Sequence, residues 1–193
     1  MADELQQGSS RKILTIPNLL SAFRLVLAGG FAAVYLHAKT RQDYHIAVGI
    51  LVLSGITDCA DGKIARHFHM ISELGKILDP VADKLTQAVV AFCLAEHYAP
   101  MKLLFAVLVG KELLQGIFGA YAVKKAGQND GAMLCGKITT CYLYGMMALL
   151  LLFSDIPTGI STGLILIGTG LLIWSLISYL LKFHRMVREA AGT

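Results

Sequence analysis

Charged side chains are what this 193-residue sequence has least of: they fill 16% of its positions against 55% apolar, and the mean hydropathy is +0.62. A soluble domain of this length carries about 25% charged residues. The shortfall excludes a disordered chain, a nucleic-acid-binding arm and an ordinary cytosolic globule, and it points to the bilayer. Patterned cysteine is missing as well. Cys59, Cys93, Cys135 and Cys141 match neither a zinc-ligand spacing nor a secreted disulfide framework, so they read as small buried apolar residues. No small-residue cleavage pattern follows the polar start with Arg11 and Lys12, which makes the first apolar run a retained helix, not a signal peptide. An internal repeat of the kind that marks many transporters is absent too.

Long apolar sequence is what the chain has instead. Crossing a hydrocarbon core of about 30 Å takes roughly 20 helical residues. Six stretches qualify, at about 16–38, 44–60, 76–97, 101–123, 133–154 and 160–181. The expected fold is an all-α integral membrane protein with six transmembrane helices, in which residues 1–15 form a polar cytoplasmic segment and 16–193 one membrane domain. Basic residues set the orientation. With both termini inside, the cytoplasmic segments hold ten (Arg11, Lys12, Lys63, Arg66, Lys76, Lys124, Lys125, Lys182, Arg185 and Arg188) and the outer ones three (Lys39, Arg41 and Lys102). The net charge of +4 is therefore a topology signal, and no nucleic-acid partner is expected. Gly116 and Ala120, four apart, fit close helix packing or dimerisation.

The acids break the pattern. Four of the eight aspartates fall between positions 58 and 83, where an ionised group at a span centre costs roughly 2.5–3.5 kcal/mol on insertion scales. On one helix Asp58 and Asp61 lie about 60° apart, with Gly62, Ala65 and Arg66 completing an arc of about 140°. On the next, Gly75, Asp79 and Asp83 form a stripe at intervals of four. Two helices can thus present two carboxylates each to a shared cleft. Such a hard-oxygen set suits two divalent cations, Mg2+ or Mn2+, better than zinc or copper. A pair of these ions is the recurring clamp for in-line displacement at phosphorus. Gly62 and Gly75 let a bulky polyanion approach the backbone, and Arg66 can fork onto phosphate. If the second helix enters at Tyr44, Asp58 sits about 21 Å along it, so the polar cleft opens to the cytoplasmic side while its walls stay in lipid. A substrate with a phosphate head and a lipid tail fits that placement. The bland readings are an ion-pair network with Lys63, Arg66, Lys76 and Lys84, or a cation transporter using the carboxylates as a path. The transporter reading has no use for Gly62, Ala65, Arg66 and Gly75 at their spacings.

The run Asp-x-x-Asp-Gly-x-x-Ala-Arg, eight residues, Gly, three residues, Asp, three residues, Asp is filled by Asp58, Asp61, Gly62, Ala65, Arg66, Gly75, Asp79 and Asp83 without a gap. It resembles the signature of the CDP-alcohol phosphatidyltransferases, membrane enzymes of phospholipid synthesis. The resemblance implies that Asp58, Asp61, Asp79 and Asp83 hold two divalent ions and that Asp83 is also the catalytic base. It further implies that Gly62, Ala65, Arg66, Ser72 and Gly75 bind the CDP-lipid, with Asn18 and Ser21 lining the nucleotide site. The implied substrate is CDP-diacylglycerol, the implied setting the cytoplasmic membrane of a bacterium among membrane lipids, and the expected assembly a homodimer.

The closest resemblance is to the branch of that family that takes glycerol 3-phosphate and makes phosphatidylglycerophosphate. It rests on Ile16-Pro17-Asn18-Leu19-Leu20-Ser21-Ala22-Phe23-Arg24, on Leu78 to Lys84, and on Gly136-Lys137-Ile138-Thr139-Thr140. An acceptor that is itself a phosphate needs cations besides the metals, and Arg24, Lys84, Lys111 and Lys137 are the candidates. The chain departs from that branch at one place: Lys111-Glu112 stands where the branch has Arg-Glu, and lysine is a point charge where arginine is a planar fork. A related branch, the cardiolipin synthases, takes phosphatidylglycerol as acceptor, and inositol phosphate, serine or another alcohol are the further alternatives. Adjacent on a helix, Lys111 and Glu112 diverge by about 100°, so each is expected to find its own partner. Lys137 and Arg24 could instead snorkel to the interface.

Overall fold

The computed structural model describes residues 16–67, 73–126, 133–153 and 155–191. The described residues form six helices: α1 (Ile16–Leu36), α2 (Arg41–His67), α3 (Glu73–Ala95), α4 (Ala99–Ala126), α5 (Leu134–Leu152) and α6 (Thr158–Ala191). Each coincides with one expected apolar stretch. Four of them, over Leu19–Leu36, Ala99–Tyr121, Leu134–Leu152 and Thr158–Arg188, are long and apolar enough to cross a membrane. The other two of the six expected spans, α2 and α3, carry the charged motif, and the side chains of 58–79 lie outside the described residues.

The chain divides into two compact units, one ending at Cys93 and the other beginning at Leu94. In the first unit, α1 buries Ser21, Arg24, Ala28, Phe31 and Tyr35, a 3-4-3-4 spacing that keeps one stripe turned inward. At its end Phe31 stacks on Tyr35, and Tyr35 meets Tyr44 of α2 edge-on, each pair with ring centroids 5.4 Å apart. A reciprocal cap starts α2. Asp43 Oδ2 accepts from the backbone N–H groups of Lys39 (2.9 Å) and Thr40 (2.8 Å), while the Asp43 N–H donates to Thr40 Oγ1 (3.3 Å), which satisfies donors the first turn would leave orphaned. The Lys39 and Thr40 backbone bonds, in that order, hold the Asp43 carboxyl below the usual aspartate range.

In the second unit, α4 and α5 both pack on α6. The buried stripe of α6 is Ser161, Ile165, Leu172, Ser175 and Tyr179. Polar groups fasten it across helices: Thr139 Oγ1 donates to the carbonyls of Cys135 (2.8 Å) and Leu171 (3.2 Å), and Tyr142 Oη donates to Leu164 O (3.0 Å). In lipid such bonds replace those that water would make. Thr57, Thr169 and Ser178 satisfy their hydroxyls within their own helices, each on the carbonyl four residues back.

Gly168 marks the point where α4, α5 and α6 converge. A Cβ there would lie 3.2 Å from Leu104 Cδ1, 3.2 Å from Leu143 Cδ2 and 3.3 Å from Tyr142 Cε1, whereas at Gly170 it would meet nothing within 4 Å. Alanine improves helix propensity by about 1 kcal/mol at either position, but three neighbours cannot all retreat at Gly168, and overpacking costs about 1–3 kcal/mol. Thermal unfolding in detergent should therefore show Gly170→Ala at or above wild type and Gly168→Ala below it. The same midpoint for both variants would contradict this packing.

The surface is inverted relative to a soluble protein. Val26, Ile56, Leu113, Ile117 and Ile177 are more than half exposed, while Ser21, Arg24, Ser54, Gln87, Lys111 and Thr139 are buried. Lipid-facing helices need no polar shell, so polar groups collect inside. Cys93 and Cys135 are buried as expected, whereas Cys141 is exposed, a correction that follows from the helix turning position 141 away from the Cys135–Thr139 stripe. Pro100 lies in the first turn of α4, where no intrahelical N–H bond is lost.

Candidate active site

The motif residues sit on α2 and α3. Asp58, Asp61, Gly62, Ala65 and Arg66 lie in the C-terminal part of α2, and Gly75, Asp79 and Asp83 in the first half of α3. Ser72 is outside the described residues, as are the side chains of Asn18, Asp58, Asp61, Ala65, Arg66 and Asp79. Pro80 lies inside α3. It has no N–H to donate to the carbonyl of residue 76, yet α3 runs on through it from Glu73 to Ala95.

Asp83 is the motif aspartate whose side chain is described, and it is joined to a second candidate. The Arg24 guanidinium on α1 donates to Asp83 Oδ1 in an ion pair that spans 59 positions of sequence. The Arg24 side chain is 3% exposed and that of Asp83 48%. A cation buried this far must have an anionic partner close by, because leaving it uncompensated in a low-dielectric interior is costly. Arg24 does not snorkel: its charge is spent inside the unit, on the carboxylate assigned to proton abstraction. The guanidinium has five N–H donors, so holding Asp83 does not exhaust it. Ser21 lies one turn before Arg24 on the same buried stripe and is fully buried.

The remaining acceptor candidates differ in burial. Lys84 is half-buried beside Asp83, and Lys137 is exposed in the first turn of α5. Lys111 is buried on the Met101, Leu104, Leu108 stripe of α4, and its Nζ donates to Glu112 Oε1 at 2.7 Å. The expectation of separate partners for these two is corrected. Their Cα–Cβ bonds diverge, but two long flexible stems close the gap, and pairing within the helix neutralises a lysine that lipid would otherwise penalise. Lys137 follows Gly136, whose position is explained by packing: a Cβ there would come within 2.8 Å of Tyr179 Oη, which already accepts the Met133 N–H at 3.0 Å.

Two polar residues escaped the sequence reading. Thr86 and Gln87 are 6% and 2% exposed, and neither Thr86 Oγ1 nor Gln87 Nε2 has a hydrogen-bond partner. The signal was available, because Gln87 is the next step of the Gly75, Asp79, Asp83 stripe. In the second unit a groove of about 540 Å³ between α4 and α6, lined by Phe118, Tyr121, Ile177, Leu181 and Val187 with His184, is too apolar for phosphoryl chemistry.

Comparison with known proteins identifies the family. The family model for CDP-alcohol phosphatidyltransferase matches residues 14–180. A Sodalis glossinidius protein named CDP-diacylglycerol–glycerol-3-phosphate 3-phosphatidyltransferase is 30% identical over 172 residues, covering 86% of this chain and 93% of its own. An Arabidopsis thaliana protein with the same name and the number 2 is 29% identical over 197 residues, covering 92% and 83%. A Mycobacterium tuberculosis protein with a provisional cardiolipin synthase name is 28% identical over 187 residues, covering 94% and 88%. The match leaves the transporter reading without support.

Proposed function

The chain belongs to the CDP-alcohol phosphatidyltransferase family, and on that premise we propose that it transfers the phosphatidyl group of CDP-diacylglycerol to glycerol 3-phosphate, giving phosphatidylglycerophosphate and CMP. The observation that carries this reading is the family match over residues 14–180, together with relatives named for glycerol 3-phosphate along most of the chain. A second reading, phosphatidylglycerol as acceptor, is favoured by the mycobacterial relative.

In the proposed mechanism Asp83 accepts the proton of the acceptor hydroxyl. The oxygen so formed attacks the phosphorus that bears the lipid, a new P–O bond forms, and the bond to the CMP oxygen breaks. Positioned proton abstraction of this kind contributes about 10²- to 10⁴-fold. Arg24 is a positioning residue, since its ion pair fixes the Asp83 carboxylate. Arg66 steadies the departing phosphate, while Gly62, Ala65, Ser72, Gly75, Asn18 and Ser21 bind the CDP-lipid. Asp58, Asp61, Asp79 and Asp83 form an all-carboxylate donor set that fits Mg2+ or Mn2+. The Asp83 side chain is half exposed beside its Arg24 contact. Two ions bound there would neutralise charge on the phosphoryl oxygens and the leaving group.

The proposed arrangement is six membrane crossings with both termini and the cleft on the cytoplasmic side of a bacterial membrane, and a homodimer as the assembly. Exposed Gly116 and Ala120 on α4 are compatible with close approach of a second copy. Lys84, Lys111 and Lys137 are assigned to the acceptor phosphate. The decisive experiment offers the nanodisc-embedded protein labelled CDP-diacylglycerol, Mg2+ and a panel of acceptors. Glycerol 3-phosphate should drive CMP release and yield phosphatidylglycerophosphate. Turnover with phosphatidylglycerol alone would replace the first reading with the second.

A further inference from the structure

Among the described hydroxyls and amides, Thr139, Tyr142 and Thr169 are satisfied, whereas Thr86, Gln87, Gln115 and Ser175 each keep a buried polar atom without a partner. Thr86 and Gln87 are the two that lie within a turn of Asp83. The Gln87 side chain is in the core of the first unit at 2% exposure, and Nε2, a two-proton donor, has no acceptor. A buried donor without a partner is costly in any protein and more so in a membrane, where no bulk water can relieve it. Such a group is retained where it has something to bind.

Its position says what. Gln87 is one helical turn beyond Asp83, about 6 Å along the α3 axis, on the stripe that begins with Gly75 and Asp79. Thr86 Oγ1 beside it is likewise unpartnered. A neutral amide donor suits a neutral oxygen, whereas the phosphate oxygens of either substrate are matched by cations. Because Gln87 is enclosed by protein, the ligand must be small and polar, which excludes the ester carbonyls of a lipid whose chains have to reach hydrocarbon.

We propose that Gln87 is an acceptor-recognition residue, its amide donating to the second hydroxyl of the alcohol whose first hydroxyl gives its proton to Asp83. The proposal rests on the reading of glycerol 3-phosphate as acceptor. Thr86 completes the same hydroxyl-binding pocket. The pocket selects a vicinal diol over a simple alcohol.

The probe is propane-1,3-diol monophosphate, which keeps the attacking hydroxyl and the phosphate of glycerol 3-phosphate but lacks the middle hydroxyl. With the full-length protein in nanodiscs and Mg2+, wild type should use it with a kcat/KM about 10- to 100-fold below that for glycerol 3-phosphate. Gln87→Leu should lose that same factor on glycerol 3-phosphate, change little on the probe, and keep its KM for CDP-diacylglycerol. Gln87→Met, closer in volume, should behave alike if the leucine variant folds poorly. The proposal fails if wild type discriminates by less than about threefold, if both acceptors fall equally in the variants, or if the lipid KM moves instead. Failure of the underlying reading looks different: wild type then releases no CMP with glycerol 3-phosphate, and the Gln87 assignment falls with it.

Discussion

Asp83→Asn in the nanodisc-embedded protein is expected to lower CMP release by about 10²- to 10⁴-fold while lowering the thermal midpoint less than Asp83→Ala does. The separation of the two effects follows from the Arg24 pair. Asparagine keeps an oxygen where Asp83 Oδ1 accepts the guanidinium N–H, so the contact that anchors α1 to α3 survives as a hydrogen bond, but the amide cannot take a proton from the acceptor hydroxyl. Asp83→Ala removes the acceptor altogether. Arg24, 2% exposed, is then a buried cation whose anchoring carboxylate is gone. Breaking a fully buried pair costs about 3–5 kcal/mol, and the half-exposed Asp83 side chain reduces this to about 1–3 kcal/mol here. A double-mutant cycle with Arg24→Met separates the two contributions, because the alanine penalty should shrink once the cation is gone. Near-wild-type turnover in the asparagine variant would remove Asp83 from the role of base.

The helix locations were legible because apolar length is a one-dimensional property, and every described helix lies on an expected stretch. Helix extents were not. α2 runs on to His67 and α6 to Ala191, beyond the apolar runs that end near 60 and 181, because a helix needs no lipid to continue into water and stops only where its backbone bonds are broken. The family was legible for a related reason: the motif members are close in sequence, and their pattern pointed to the family whose model matches residues 14–180. The Arg24–Asp83 pair joins residues 59 positions apart, and only the tertiary fold brings them together. Lys111 and Glu112 failed for the opposite reason. Periodicity describes where Cβ atoms point, while the charges sit at the ends of stems long enough to turn back towards each other.

Chelation should have the other large effect. Treatment with EDTA is expected to abolish turnover, with Mg2+ or Mn2+ restoring it and Zn2+ failing to, since an all-carboxylate set lacks the nitrogen and sulfur ligands that favour zinc. The charge arithmetic makes the requirement strict. Each ionised carboxylate within a span costs about 2.5–3.5 kcal/mol on insertion scales, and Asp58, Asp61, Asp79 and Asp83 repel one another unless cations lie among them. Arg24 answers one of the four. Binding should therefore stabilise the fold as well as activate it: at 100 times the dissociation constant the linkage is about 2.7 kcal/mol, a rise of roughly 5–10 °C in the midpoint for a chain of this size. That rise is readable without substrate. Asp58→Asn and Asp79→Asn should need at least about tenfold more Mg2+ to reach it, since each removes one charged ligand. A wild-type midpoint unmoved by Mg2+, or a shift that survives both substitutions, would locate the ion elsewhere and leave the four aspartates to other partners.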